Sequence, residues 1–349
     1  MPNDFEIRNL CLSVGGFSLR NINLHLDGHS YIVLLGKVGS GKTVLLKTIA
    51  GFFTDHDGEI FLDGEKISSL PPRQRKIGYV PQHNDLFPNM DIRDNISFPL
   101  VIRKIDKKII SQRVSYLLDL FDIAKIAERH TDNLSGGERK KVAIARALAH
   151  EPKLLLLDEP LGMLDAPARK SVLELLRKIH SVSQVSVIHV SHERRDAWDA
   201  GKLCAFMEKG EILQTGSPDD VFRTPKTLSA ASFFGSENIF PAKFAKSGSR
   251  YLAKVGSLEI QINKLTGQDS GFVTIRPELI EINVVKGENC FTAKVLSISD
   301  KGDLCEIRAS IIDEMEFIIH CGVSETKNLH IGENVSLYIN PNNVHYIKG

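Results

Sequence analysis

The sequence lacks a long apolar run. No stretch of its 349 residues approaches the roughly eighteen consecutive apolar residues that cross a bilayer as a helix. The opening MPNDFEIRNL is polar and acidic where a secretory signal has a basic start and an apolar core, so any membrane role is expected to need a partner subunit. Cysteine is scarce: Cys11, Cys204, Cys290, Cys305 and Cys321 form an odd, scattered set with no CxxC pair. That excludes a disulfide framework and a zinc knuckle and reads as reduced cytosolic thiols. Charge of one sign is not in excess either. The 44 Lys and Arg against 43 Asp and Glu leave +1, so no overall field draws nucleic acid or an anionic membrane. Internal repeats and low-complexity linkers are absent. What remains is an ordinary globular composition, 42% hydrophobic and 25% charged, in a chain long enough for about two domains.

Local patterning divides the chain in two. Residues 1 to about 50 alternate strand-like runs with turns and end in the apolar run Tyr31 to Leu35, a Gly-rich turn and the helical pattern Lys42 to Ala50. From about 92 to 150 helical spacing dominates, as in Val114, Leu117, Leu118 and Phe121, before the buried-strand run Leu154 to Leu157. A mostly helical insertion thus interrupts an α/β core, expected to close near residue 235. Beyond it, period-two alternation (Phe291, Ala293, Val295; Val335, Leu337, Ile339) between turn signals predicts an all-β domain over 236–349. That region has 12 Lys and Arg against 14 Asp and Glu, net −2, which leaves +3 for residues 1–235.

Gly36-Lys37-Val38-Gly39-Ser40-Gly41-Lys42-Thr43 fits GxxxxGK[ST] between a predicted strand and a predicted helix, the context that motif requires. Its backbone N–H groups and the helix N-terminus suit a polyphosphate, Lys42 can reach the β/γ-phosphates, and the Thr43 hydroxyl can ligate Mg²⁺. Leu154-Leu155-Leu156-Leu157 runs into Asp158 and Glu159. Beside a phosphate loop, Asp158 is expected to orient the Mg²⁺ shell and Glu159 to polarise the water that attacks the γ-phosphate. Ser135 and Glu138 form a capping box at the head of a helix. Gly136 and Gly137 are not explained that way, since each costs a helix about 1 kcal/mol relative to Ala, and they suggest that an anion approaches the backbone.

Leu134-Ser135-Gly136-Gly137-Glu138 just upstream of the LLLLDE strand, after a GxxxxGKT loop, resembles the ATP-binding subunit of an ABC transporter over nearly the whole chain. The resemblance implies a P-loop ABC ATPase core of the α/β class with a helical subdomain, followed by an all-β, OB-like regulatory barrel. It implies ATP and Mg²⁺ as cofactors. Gly78-Tyr79-Val80-Pro81-Gln82 is similar to the family's Q-loop, so Gln82 is expected to contact Mg²⁺ and water and to sense the membrane partner. Val190-Ser191-His192-Glu193 resembles the switch-histidine segment, which gives His192 the γ-phosphate. Leu164-Asp165 resembles the loop that reaches across the dimer. In this family two subunits sandwich two ATP molecules, each held by one phosphate loop and by the opposite subunit's Ser135-Gly136-Gly137-Glu138 segment. A homodimer, two permease subunits, an external solute-binding protein and a place on the cytoplasmic face of the membrane follow as expectations. Departures are Glu138-Arg139-Lys140-Lys141 where many relatives have two glutamines before an Arg, and Ser191 and Glu193 where Thr and Asp are common. For the adenine-stacking aromatic, alignment places Val14 nearest the expected position, with Phe17 a core candidate.

ABC importers with such β-rich tails serve sugars, ferric iron, polyamines, sulfate and molybdate or tungstate. The closing segment Tyr338 to His345 resembles small molybdate-binding β domains. Molybdate/tungstate is therefore ranked first, with sulfate, ferric iron or sugar behind, and an oxyanion is expected at the tail near Ser297 to Gly302 or Asn342 and Asn343. The competing classes are a soluble ABC ATPase without a membrane partner and a nucleic-acid-associated ATPase. The first lacks its usual second cassette or coiled coil here. The second lacks a basic, aromatic-interleaved face in a tail of net −2.

Overall fold

The computed structural model describes residues 4–83, 85–248, 250–263, 269–284, 287–311 and 315–348; residues 1–3 of the N-terminal stretch read above lie outside them. The chain forms two compact units, Met1–Val221 and Phe222–Gly349.

The first unit runs β1 (Phe5–Val14), β2 (Phe17–Leu26), β3 (Tyr31–Leu35), α1 (Lys42–Ala50), β4 (Asp57–Leu62), β5 (Glu65–Lys66), β6 (Ile77–Val80), α2 (Ile92–Val101), α3 (Lys107–Leu120), α4 (Gly136–Leu148), β7 (Leu154–Asp158), α5 (Ala166–Ser183), β8 (Ser186–Ser191), α6 (Arg194–Ala200), β9 (Leu203–Glu208) and β10 (Glu211–Gly216). α7 (Pro218–Arg223) contains the unit boundary. β3, β7 and β8 are buried at every residue, as uninterrupted apolar runs in a parallel sheet covered on both faces are. They lie at the centre of a six-stranded sheet of order β10-β9-β3-β8-β7-β6, in which only β10 pairs antiparallel. A second, antiparallel sheet has the order β2-β1-β4-β5, and the two share a core with α1. The carboxyl ends of β3, β7 and β8 therefore point to one edge, where open α/β sheets bind their ligands.

Two buried polar side chains hold this edge. Arg75, 1% exposed, donates to the carbonyls of Thr48 and Ile49 at the end of α1 and to those of Ser68 and Leu70. It thereby satisfies orphan helix carbonyls and fixes α1 from behind. Asn95, fully buried on α2, bonds both the N–H and the carbonyl of Phe87 and the carbonyls of Met90 and Asp91, and so pins the loop that follows Gln82. α2 begins at an Asp91 cap, and α2, α3 and α4 make up the helical subdomain between β6 and β7.

The second unit comprises α8 (Leu228–Phe233), β11 (Asn238–Ser247), β12 (Arg250–Val255), β13 (Leu258–Ile262), β14 (Ser270–Ile275), β15 (Ile280–Ile282), β16 (Cys290–Asp300), β17 (Cys305–Ile311), β18 (Met315–Cys321), β19 (Asn334–Ile339) and β20 (Val344–Lys348). These strands form two five-stranded antiparallel sheets, β13-β12-β11-β14-β20 and β15-β19-β16-β17-β18, around one apolar core. The all-β domain predicted from the alternation is present, and its strands divide between two sheets around that core. Period two identifies a strand and its buried face, but not the sheet it joins. The boundary is corrected, from near 235 to between Val221 and Phe222. Texture turns to strand only after 235, yet Phe222 and Phe234 pack ring on ring at 4.3 Å. Arg276 donates to both of their carbonyls, which ties the helical segment to the β unit.

Candidate nucleotide site

The Gly36–Thr43 loop links β3 to α1. Gly41 caps α1 at φ 102° without a side-chain cap, so the first N–H groups of the helix face outward. A Cβ there would also lie 2.5 Å from the Phe17 ring, and one at Gly36 would collide with the Met207 carbonyl. Lys42, 6% exposed, is folded into the loop and donates to the carbonyls of Gly36 (2.7 Å) and Lys37 (2.9 Å). Burial lowers its pKa, and the charges of Glu159 and Asp158 oppose that shift. Ser40 is buried, whereas Lys37, Val38 and Gly39 are exposed at the rim.

Asp158, 2% exposed at the end of β7, accepts the Thr43 hydroxyl at 3.1 Å. Burial raises its pKa, with the Thr43 hydrogen bond opposing and the Glu159 charge adding. Glu159 sits at φ 48°, in the left-handed region a non-Gly residue adopts only when its surroundings impose it. Its N–H is bound by the Val190 carbonyl, which fixes it between β7 and β8. Its carboxylate meets two partners: Gln82 Nε2 donates to Oε2 at 3.0 Å, and His192 Nδ1 lies 3.1 Å from Oε1. Lysine, threonine, glutamine, histidine and both acids thus converge from four segments on a cavity of about 870 Å³, lined by Gly39, Gly41, Lys42, Thr43, Gln82, Glu159 and His192. Hard oxygen donors beside an outward-facing helix N-terminus suit a magnesium polyphosphate.

The remaining expected residues lie elsewhere. Ser135 and Glu138 form the capping box read from the sequence: the Ser135 hydroxyl accepts the Glu138 N–H at 3.2 Å, and Glu138 accepts the Ser135 N–H at 2.8 Å. Gly136 lines a smaller, adjoining cavity that shares Gln82 and Glu159 with the large one. A Cβ at Gly137 would stand 3.1 Å from Ala168 Cβ, so close packing on α5 also calls for that glycine. Asp165 caps α5 by accepting the Ala168 N–H at 2.9 Å. Phe17, and not Val14, lines the large cavity; the two are register partners across the β1–β2 hairpin, and the hairpin decides which side chain reaches the site. Sequence reasoning named Lys140 only as a departure from the family's glutamines and not as a site residue. It is 2% exposed, donates to the Gln82 carbonyl at 3.3 Å, and is pushed down to about 8 by burial against the charges of Asp158 and Glu159. Its place among Arg139 and Lys141 gave no sign of burial.

Residues 19–162 match the family described as ABC transporter. Over 344 residues, 97% of either chain, the sequence is 36% identical to the spermidine/putrescine import ATP-binding protein PotA of Borrelia garinii subsp. bavariensis. The chain belongs to the ATP-binding subunits of ABC import systems. It is also 34% identical to the sulfate/thiosulfate import ATP-binding protein CysA of Halalkalibacterium halodurans, over 97% of this chain and 96% of that one. The solved dimeric ATP-binding cassette MJ0796, in a post-hydrolysis state with ADP and Pi, superposes with a TM-score of 0.54 at 25% identity, covering 61% of this chain and 98% of that one. An ABC ATP-binding subunit hydrolyses ATP with Mg²⁺, and the P-loop fold described above is the family's.

Proposed function

We propose that this ABC subunit energises a solute importer as a homodimer on the cytoplasmic face of the membrane, joined to two permease subunits and through them to an external solute-binding protein. The observation that carries this reading is the convergence of Gln82 and His192 on the Glu159 carboxylate across from the phosphate loop. In it, Gly36, Lys37, Val38, Gly39, Ser40, Gly41 and Lys42 hold the phosphates, and Lys42 exchanges its loop carbonyls for phosphate oxygens. Thr43, Asp158 and Gln82 hold Mg²⁺, which when bound neutralises charge on the β- and γ-phosphates. Glu159 accepts the proton of the attacking water, Gln82 orients that water, and His192 fixes both the γ-phosphate and the Glu159 carboxylate. Ser135, Gly136, Gly137, Glu138 and Asp165 serve the nucleotide of a second copy. Two points support this: they belong to no part of the large cavity in their own chain, and MJ0796 was solved as a dimer.

The solute reading is finer. Relatives named for a polycation and for a dianion match at 36% and 34%, so solute choice leaves little trace in this subunit and belongs to its partners. Spermidine or putrescine is the first solute to test and sulfate the second. Molybdate or tungstate, expected from the strand near residue 340, comes third. Three of the donors expected for an oxyanion already have internal partners: the Gly302 N–H donates to Asp300 at 2.8 Å, Lys301 pairs with Glu306, and the Asn342 N–H donates to Asn340 Oδ1 at 3.0 Å. Uptake of labelled putrescine, sulfate and molybdate by cells lacking this chain, complemented with it or with Glu159→Gln, tests the reading. One solute should accumulate only with the unaltered chain. Equal uptake of all three with both forms would overturn the importer assignment.

A further inference from the structure

β8 ends at Ser191, and His192 follows in the turn to α6. The Ser191 hydroxyl, 3% exposed, donates to Asp196 Oδ2 at 2.6 Å and accepts the Glu193 N–H at 2.9 Å. One side chain therefore holds the backbone on both sides of His192. Asp196 is itself 2% exposed, and its other oxygen takes the ion pair from Arg169 of α5, the helix capped by Asp165. His189 faces the same carboxylate, with Nε2 3.6 Å from Oδ2 and Nδ1 3.1 Å from the Tyr31 hydroxyl. Full burial pushes His189 down to about 3, so its ring is neutral and the positive charge beside Asp196 comes from Arg169. A buried carboxylate is retained at high desolvation cost and holds its geometry only while all its partners are in place.

We propose that Arg169, Asp196 and Ser191 form a positioning chain that sets the β8–α6 turn, and thereby the 3.1 Å approach of His192 Nδ1 to Glu159 Oε1. The chain ties the helix that starts at Asp165 to the reaction centre through α5, so a shift at one end moves the other. Ser191 and Asp196 lie outside the lining of the large cavity while Arg169 belongs to it, so the Ser191 variants carry the decisive test. Each acts through His192, and the proposal rests on the role given to His192 above. A plain packing role for the same ion pair would lower stability without singling out His192.

The test is ATP hydrolysis by the full-length chain, in steady state and in single turnover, for Ser191→Ala, Ser191→Thr, Arg169→Met, His192→Ala and the Ser191→Ala/His192→Ala double variant. Misplacing a catalytic group by a fraction of an ångström to an ångström costs about 10- to 100-fold in rate. Ser191→Ala and Arg169→Met should lose that much kcat, with KM for ATP within about twofold. Ser191→Thr, which keeps the hydroxyl, should recover the rate. The double variant should be no slower than His192→Ala alone. An unchanged kcat in Ser191→Ala, or a loss of the same factor in both backgrounds, overturns the positioning chain. A parent-like rate in His192→Ala is a separate failure, because it removes the role of His192 itself. If Arg169→Met does not fold, the Ser191 variants decide the question, since removing one hydroxyl leaves the ion pair intact.

Discussion

The two units bury different chemistry. The first hides charge: Lys42, Arg75, Lys140, Asp158 and Asp196 are all at most 6% exposed, as is His189. In the second, the buried polar side chains among the described residues are Ser236, Asn238, Thr274 and Asn289, all neutral. Asn238 and Asn289 hydrogen-bond backbone, Asn238 bridging Ile275 to Ile318 and Asn289 gripping Gln261. A buried charge is costly unless its partners are arranged for it, so a fold that hides several at one sheet edge uses them there. A fold that hides only neutral groups uses its amides as staples. ATP hydrolysis draws on the first kind of interior.

That contrast can be broken or sharpened in order of effect. Glu159→Gln should cut turnover by about 10²- to 10⁴-fold while ATP still binds, because an amide cannot accept the water's proton. Sedimentation with ATP should then show the trapped dimer, and a monomer would count against the paired site. Lys42→Ala should weaken a fluorescent ATP analogue by about 100-fold or more, removing a charge-assisted contact to phosphate; unchanged affinity would dismiss the phosphate-loop assignment. In the second unit, Asn238→Ala should cost about 3 kcal/mol of unfolding free energy by stranding the Ile275 and Ile318 backbone groups. Activity per folded molecule should not change, and a matching loss of kcat would blur the division between the units. Phe17→Ala should weaken ATP about tenfold through lost base stacking and leave tripolyphosphate binding as it was, while Val14→Ala should do neither.

The last test is on pH. His189 titrates near 3 in the folded chain against an ordinary 6.5, so between those values the unfolded state binds the extra proton. Stability is full above 6.5 and falls as pH drops toward 3, by at most about 1.4 kcal/mol per pH unit for this group. Urea midpoints at pH 7 and pH 5 should show the slope, and His189→Gln should flatten it; a slope unchanged by that substitution would place the proton elsewhere.

Much of the site was legible because its signals are local. The Gly36–Thr43 loop between an apolar run and a helical pattern, the acids closing an apolar strand, and the Ser135/Glu138 box are each contained in a few residues. The pairings are not. Thr43 meets Asp158 and Gln82 meets Glu159 across long stretches of chain, and only the resemblance to ABC subunits linked Gln82 and His192 to the site. Nothing local to Arg75, Asn95 or Lys140 marks them as buried, because their burial depends on which carbonyls the fold brings to them.

By itself, the sequence determined the order of elements, the phosphate loop and the acids that follow β7, since periodicity and turn chemistry act over a few residues. Only the tertiary structure decided that Phe17 rather than Val14 faces the cavity, that residues 222–235 pack with the β unit, that the tail forms two sheets, and that Ser191, Asp196 and Arg169 meet behind His192. Each of these depends on which distant segments share a buried contact, and burial free energy is gained only once the whole chain has folded.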